Sequence, residues 1–230
     1  MNYRPAVSGD EERRIRAWHD AAYESIRDGK GVGVTEVLGH QLEIPPQVIP
    51  PPRMSLGPAV RDEVREGDRV LDMGTGSGIN AILAAAKSTD VLAVDINPHA
   101  VAAAIANAER NGVADRITCR ESDVFSAVEG TFDLIIFDPP FRWFAPRDYL
   151  EAGMADENYQ ALTRFLEQAG DHLAPGGRIL MLFGSSGDLD YLYRTAEANG
   201  FTREIVSARE LTRDDQTVTY VSFRLTRQAR

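Results

Sequence analysis

Apolar side chains at Ile15, Trp18, Ala22 and Ile26 recur every three to four positions in an otherwise charged stretch, which predicts an amphipathic helix over 9–28 with Ser8 or Asp10 as its cap. Gly29-Lys30-Gly31-Val32-Gly33 breaks that period, and two short runs at 34–38 and 41–44, joined by Gly39-His40, predict a hairpin. Prolines at 45, 46, 50, 51 and 52 hold the next segment extended, because each restricts its own φ and the residue before it. The segment delivers Arg53, Met54 and Ser55 to a helix expected at 57–65.

From Arg69 the pattern becomes an alternation of apolar runs and amphipathic stretches. Strands are predicted at 69–73, 90–95, 116–120, 132–137 and 178–183, and helices at 78–87, 98–111, 157–173 and 188–199. Leu162, Phe165, Leu166, Ala169 and Leu173 form the apolar side of the helix at 157–173, and Pro175-Gly176-Gly177 stops it. Such alternation is an α/β pattern: a parallel sheet with helices on both faces and right-handed crossovers. Residues 202–209 and 217–226 alternate as an antiparallel pair would, with the charged stretch 209–216 as their connection. The expected organisation is a helical and hairpin cap over 1–54 and a core domain over 55–230.

Composition narrows the partners. The 230 residues are 43% hydrophobic and 26% charged, the balance of an ordinary globular protein. Twenty-five basic and 35 acidic side chains give a net charge of −10, so the overall field repels polyanions and disfavours nucleic acid. Cys119 is the only cysteine, which fits a reducing compartment. The N-terminus lacks a signal-peptide core and no apolar run approaches the roughly 20 residues of a membrane span, so a cytoplasmic location is expected.

The chemistry starts at Val70-Leu71-Asp72-Met73-Gly74-Thr75-Gly76-Ser77-Gly78, an apolar strand that runs into three alternate glycines. Glycine reaches the positive-φ conformations of a tight strand-to-helix turn, and a side chain on the second or third glycine would hold a ligand off the backbone. The next helix adds unpaired N–H groups. This is a nucleotide cradle, but a dinucleotide fingerprint needs glycine where Ile79 stands, which weakens the pyrophosphate reading and an oxidoreductase with it. An adenosine-type ligand without phosphates stays open.

Five signals in order resemble class I S-adenosylmethionine-dependent methyltransferases. They are the glycine loop, Asp95 at the end of the second strand, Asp123-Val124 after the third, Asp138-Pro139-Pro140-Phe141 after the fourth and Leu173-Ala174-Pro175-Gly176-Gly177 before the fifth. The likeness covers residues 30–226. It implies a Rossmann-like, doubly wound, mostly parallel sheet of seven strands with an antiparallel C-terminal strand, and S-adenosyl-L-methionine as cofactor. The fourth motif resembles the nitrogen-directed branch with Asp/Asn-Pro-Pro-Phe/Tyr, which includes release-factor glutamine methyltransferases and amino-group methyltransferases. The release-factor branch usually has Asn where this chain has Asp138, and the proline and acidic pair that follow its arginine are missing after Arg53.

The resemblance assigns each motif a task. Asp95, 23 residues after Asp72, accepts hydrogen bonds from two ribose hydroxyls, and Ile96 lies against adenine. Asp123 accepts from the adenine amino group beside the Val124 backbone. Gly74, Thr75, Gly76 and Gly78 approach the methionine part of the cofactor, and Asp72 pairs with its ammonium. Asp138 Oδ and the Pro139 carbonyl orient an acceptor nitrogen, Pro140 stiffens the turn, and Phe141 offers a ring for a planar substrate. Arg142, Trp143 and Phe144 begin an aromatic and basic segment, 142–149, expected to form a lid over the substrate. Met54 and Ser55 are expected near the cofactor pocket, Trp18 in the core, and His19, His40, His99 and His172 at surface or cap positions without metal-ligand spacing. The acceptor is thus a small molecule or a protein amide or amine. The alternatives are an exocyclic amino group of RNA or DNA, and a non-catalytic partner subunit.

Overall fold

The computed structural model describes residues 3, 7–29, 33–52, 55–213 and 216–228. Expectations placed on Lys30, Gly31, Val32, Arg53 and Met54 lie outside the described residues. Helix α1 (Gly9–Asp28) starts where Ser8 Oγ accepts from Glu11 N at 3.2 Å, which confirms the serine as cap. Its buried line is Ile15, His19 and Tyr23, so Trp18, Ala22 and Ile26 flank the packed face and do not form it. Strands β1 (Gly33–Val37) and β2 (His40–Ile44) are joined by Leu38 and Gly39, both at positive φ (52° and 85°), the turn whose twist suits a two-residue hairpin.

The remaining chain runs α2 (Gly57–Glu63), β3 (Arg69–Met73), α3 (Ile79–Ala84), β4 (Asp90–Asp95), α4 (Pro98–Arg110), β5 (Ile117–Glu121), β6 (Phe132–Phe137), α5 (Tyr149–Ala152), α6 (Gln160–Ala169), β7 (Leu173–Gly184), α7 (Leu189–Ala198), β8 (Phe201–Arg213) and β9 (Gln216–Arg227). The sheet order is β5-β4-β3-β6-β7-β9-β8. The first five of these strands are parallel, β9 is antiparallel to β7, and β8 is antiparallel to β9. This is the doubly wound, Rossmann-like sheet. The chain walks outward from β3 to β5, then returns to build on the other side of β3, so the strand ends at β3 and β6 open into a crevice.

Both faces of the sheet are covered, which is why its strands read as continuous apolar runs. In β6, Leu134 and Ile136 join Val70, Val91, Ala93, Leu180 and Leu182 beneath α2, α3 and α4. Ile135 and Phe137 point the other way, joining Leu71, Met73, Ile179 and Phe183 beneath α1, α6 and α7. The hairpin is tied to α4 by side-chain amides that act as a substitute strand edge. Asn107 Nδ2 donates to Glu43 O at 3.0 Å and to Ser77 O at 2.9 Å, while Glu43 N donates to Asn107 Oδ1 at 2.8 Å. Asn107 is fully buried, and one residue thereby couples hairpin, helix and glycine loop.

Four departures from the expected boundaries have local causes. Helix α6 begins at Gln160 because Asn158 and Tyr159 are left-handed (φ 53° each), and Asp156 then caps Ala161 N and Leu162 N at 3.0 and 2.9 Å. It ends at Ala169, so Leu173 belongs to β7, which starts before Arg178 with a register shift against Phe132 and Leu134. That bulge requires Gly177, where a Cβ would sit 2.8 Å from Phe132 O. The β8–β9 ladder continues to Arg213↔Gln216, so most of 209–216 is a two-stranded ribbon. The short helix α5 (Tyr149–Ala152) falls where the apolar period predicts no element.

Candidate active site

The cofactor half of the crevice is built from the ends of β3, β4 and β5. Gly74, Gly76 and Gly78 all sit at positive φ (66°, 55° and 84°). A Cβ on Gly76 would meet nothing within 4 Å, and one on Gly74 only a Phe137 ring carbon at 3.8 Å, so the loop leaves open space on the side where a ligand could lie. Gly78 is different: its Cβ would fall 3.0 Å from Ala104 Cα, so this glycine serves the packing of α4. The expectation that a side chain on the third glycine would hold off a ligand is corrected accordingly.

Asp72 is fully buried. Its Oδ2 accepts from Thr75 Oγ1 at 2.6 Å and Ala81 N at 3.1 Å, while Oδ1 has no partner. Burial, reinforced by Asp95 and opposed by those two donors, pushes its pKa up to about 7. Thr75 is buried and holds the loop, since its N donates to Val94 O at 2.9 Å. Asp95 accepts from Gly76 N on Oδ2 and Asn97 N on Oδ1, both at 2.9 Å, which aims the carboxylate into the crevice with lone pairs to spare. Beside it Ile96 is 55% exposed, an apolar side chain left open at the strand end.

Asp123 is held by Arg164 through two bonds of 2.7 Å, a pair the motif did not announce. Both side chains are 43% exposed, so the pair orients the carboxylate more than it stabilises the fold. Val124 adopts φ 52°, a conformation that costs a β-branched residue roughly 1–3 kcal/mol, and Ser122 Oγ braces it by donating to Val124 O at 2.7 Å.

Across β3, Asp138 follows β6 and is partly exposed; among the described residues no hydrogen bond reaches its carboxylate. Burial and the nearby Asp72 push its pKa up to about 7. Pro139 is buried, and Phe141 packs on the backbone at Gly184, where a Cβ would meet its ring at 2.9 Å. Tyr220, opposite Gly184 in β9, stands 6.0 Å from the Phe141 ring and feels the charge of Asp138. No motif marks Tyr220, since only the β7–β9 register brings it here.

The segment after the turn corrects the lid expectation. Trp143 and Phe144 are buried in the core, with Tyr3, Tyr159, His19 and Arg16 against their rings. His19 is buried as well, although a histidine in a charged helix reads as a surface residue. Its Nε2 lies 2.8 Å from Glu151 Oε1, and Arg147 bonds both oxygens of Glu151 and Asp20 Oδ1. Burial alone would raise the Glu151 pKa, but the Arg147 bonds and His19 bring it down to about 2. His19, Asp20 and Glu151 are close enough to share a metal ion, yet the guanidinium already fills that position and latches α1 to α5. Ser55 is buried and its carbonyl accepts from Arg209 at 2.7 Å.

Asp72, Asp95 and Asp138 therefore stand together at the strand ends, and among the described residues no cation bonds them: Asp95 raises the pKa of Asp72, and Asp72 that of Asp138. The stability consequence has a definite sign. Folded pKa values near 7, against an ordinary value near 4, mean that the native state binds more protons than the unfolded chain between roughly pH 4 and 7. Stability from these groups is present at low pH and lost as pH rises through 7. Asp138→Asn should match the wild type in Tm at or below about pH 4, gain on it as pH rises to 7 and exceed it by about 2–6 °C at pH 8, as followed by scanning calorimetry; equal Tm values at both ends of that range would contradict the raised pKa of Asp138.

A profile of the methyltransferase small domain matches residues 59–194. A putative protein N5-glutamine methyltransferase of Methanocaldococcus jannaschii is 30% identical over 159 residues, 66% of this chain and 80% of that protein. A release factor glutamine methyltransferase of Salmonella typhimurium is 39% identical over 132 residues, which cover 50% of this chain and 46% of that protein, so the chain spans less than half of this relative. In fold, a methyltransferase from Pyrococcus furiosus superposes with a TM-score of 0.61 at 21% identity, covering 91% of this chain and 97% of the other.

Proposed function

The chain belongs to the methyltransferase small domain family, and from that premise we propose that it transfers the methyl group of S-adenosylmethionine to a nitrogen of an acceptor held at residues 138–141. One observation carries this reading: among the described residues no cation bonds Asp72, Asp95 or Asp138 at the strand ends, and Asp72 Oδ1 is buried without a partner. A ligand with an ammonium and a sulfonium supplies the missing charge. The open faces of Gly74 and Gly76, the pre-aimed Asp95 and the exposed Ile96 fit its methionine, ribose and adenine parts in that order along the strand ends. Asp123 and the Val124 backbone suit the adenine edge.

When bound, this cofactor supplies an electrophilic methyl group. The chain's own part is to orient and to accept a proton. An amide or aromatic amine has its lone pair delocalised, so a pair of acceptors directed at its N–H groups favours the charge that develops on nitrogen. Asp138 Oδ and the Pro139 carbonyl provide that pair. Pro139 and Pro140 fix the direction of the carbonyl, and Phe141, backed by Gly184, presents a ring to a planar group. With a pKa of about 7, Asp138 also accepts the released proton at Oδ near neutral pH. As an anion it is purely an acceptor, which suits an –NH2 or amine.

The acceptor is a glutamine-like amide or amine of a protein or a small molecule. Both relatives are named as glutamine methyltransferases of proteins, which favours an amide, and the net charge of −10 weighs against nucleic acid. Among the described residues no helix is long and apolar enough to cross a membrane. Incubation with methyl-labelled S-adenosylmethionine and panels of amines, glutamine peptides and RNA is expected to label only the first two classes, at nitrogen by mass spectrometry. Labelling of RNA alone would overturn the acceptor assignment.

A further inference from the structure

Arg142, the residue immediately after the 138–141 turn, is 5% exposed. Its Nη1 donates to Ser186 Oγ at 2.5 Å, Nε has no partner, and among the described residues no carboxylate pairs with the guanidinium. The charge lies between two rings, 5.0 Å from that of Trp18 and 4.7 Å from that of Phe141. Its titratable neighbours are the phenols of Tyr220 and Tyr159, both with pKa raised by burial and so neutral, and burial pulls its own pKa down to about 10. Among the described residues the other deeply buried arginine, Arg178, shows what this fold does with a structural cation: Asp68 Oδ2 at 2.7 Å, Glu63 Oε2 at 3.4 Å and Asp133 O at 3.0 Å surround it. Burying a cation without a carboxylate partner is costly, and cation–π contacts offset only part of that cost. Arg142 is therefore held in a state that a counter-anion would relieve.

Its position says whose anion. Residues expected to hold the cofactor lie at the ends of β3, β4 and β5, whereas Arg142 contacts Ser186 after β7 and neighbours Tyr220 on β9, on the far side of Asp138. Tyr220 feels Arg142 and Asp138 together, so the two opposite charges flank one phenol without pairing with each other. We propose that Arg142 seats an anionic group, a carboxylate or a phosphate, that the acceptor carries next to the nitrogen presented to Asp138. The acceptor is then an amino-acid-like or phosphorylated amine rather than a neutral one. The role of Asp138 rests on the methyl-transfer reading, while the anion seat does not.

The test is thermal denaturation at constant ionic strength in chloride, acetate or inorganic phosphate, with and without S-adenosylhomocysteine, on the wild type and Arg142→Met. Methionine fills the gap between Trp18 and Phe141 without a charge. The seat predicts that acetate or phosphate at ten times its dissociation constant raises the wild-type Tm by about 3–5 °C over chloride, that the variant shows no such rise, and that its own Tm in chloride is equal or higher. Whichever anion acts identifies the group. A variant that melts more than about 5 °C lower marks Arg142 as a structural plug and overturns the proposal, as does an equal response in both proteins or none in the wild type. By calorimetry, a loss of tenfold or more in S-adenosylhomocysteine affinity in the variant would give the seat to the cofactor and overturn the acceptor assignment. An anion response in a wild type that binds no S-adenosylhomocysteine would keep the seat and remove the methyl-transfer reading.

Discussion

Asp138→Ala is expected to lower turnover by about 10²–10³-fold while the affinity for S-adenosylhomocysteine stays within about threefold of the wild type. The size follows from what alanine removes, a pre-oriented acceptor whose bond to the nitrogen strengthens only as charge develops there. The separation of turnover from cofactor affinity follows from the fold. Asp138 lies beyond β6 and shares no hydrogen bond with the glycine loop or with Asp95, so its loss leaves the cofactor half intact. Asp138→Asn keeps an acceptor oxygen and loses the titration. It is expected to retain part of the turnover and to lose the rise of kcat/KM with pH that the wild type shows as Asp138 ionises near 7. Full activity in the alanine variant would refute the assignment of Asp138.

Asp95→Ala should weaken cofactor binding by about 10²-fold or more, measured calorimetrically with S-adenosylhomocysteine. Hydrogen bonds to a charged group contribute about 1.5–3 kcal/mol each, and two ribose hydroxyls would share this carboxylate. Gly76 N and Asn97 N, both at 2.9 Å, already fix its orientation, so little ordering cost remains to be met on binding. Substitution also frees Gly76 N and loosens the loop, which adds to the loss. A variant that binds as tightly as the wild type would mean that the ribose lies elsewhere.

What the chain discloses in advance is local chemistry at strand ends. Asp72, the glycines after it, Asp95, Asp123 and 138–141 are read from short motifs because a parallel strand followed by a tight turn puts its last residues on one edge of the sheet, wherever the rest of the chain goes. The functions of their neighbours depend on which elements pack together. Gly78 reads like Gly76, yet Ala104 from α4 makes it a packing glycine. Trp143 and Phe144 read like an exposed lid until α1 covers them, and His19 reads like a surface residue until Glu151 comes within 2.8 Å. Asn158 and Tyr159 break a helical period that their side chains do not contradict. Arg142 reads as the first residue of that lid, and its burial between Trp18 and Phe141 follows from packing that the sequence does not show.

The central claim is that the crevice at the ends of β3, β4 and β5 is an S-adenosylmethionine site. Calorimetric titration of the wild-type protein with S-adenosylmethionine tests it most directly. The account predicts saturable binding to one site per chain, with an affinity that increases as pH is raised from 6 to 8, because Asp72, with a pKa near 7, must ionise to meet the ligand's ammonium. Absence of binding across that range would contradict it.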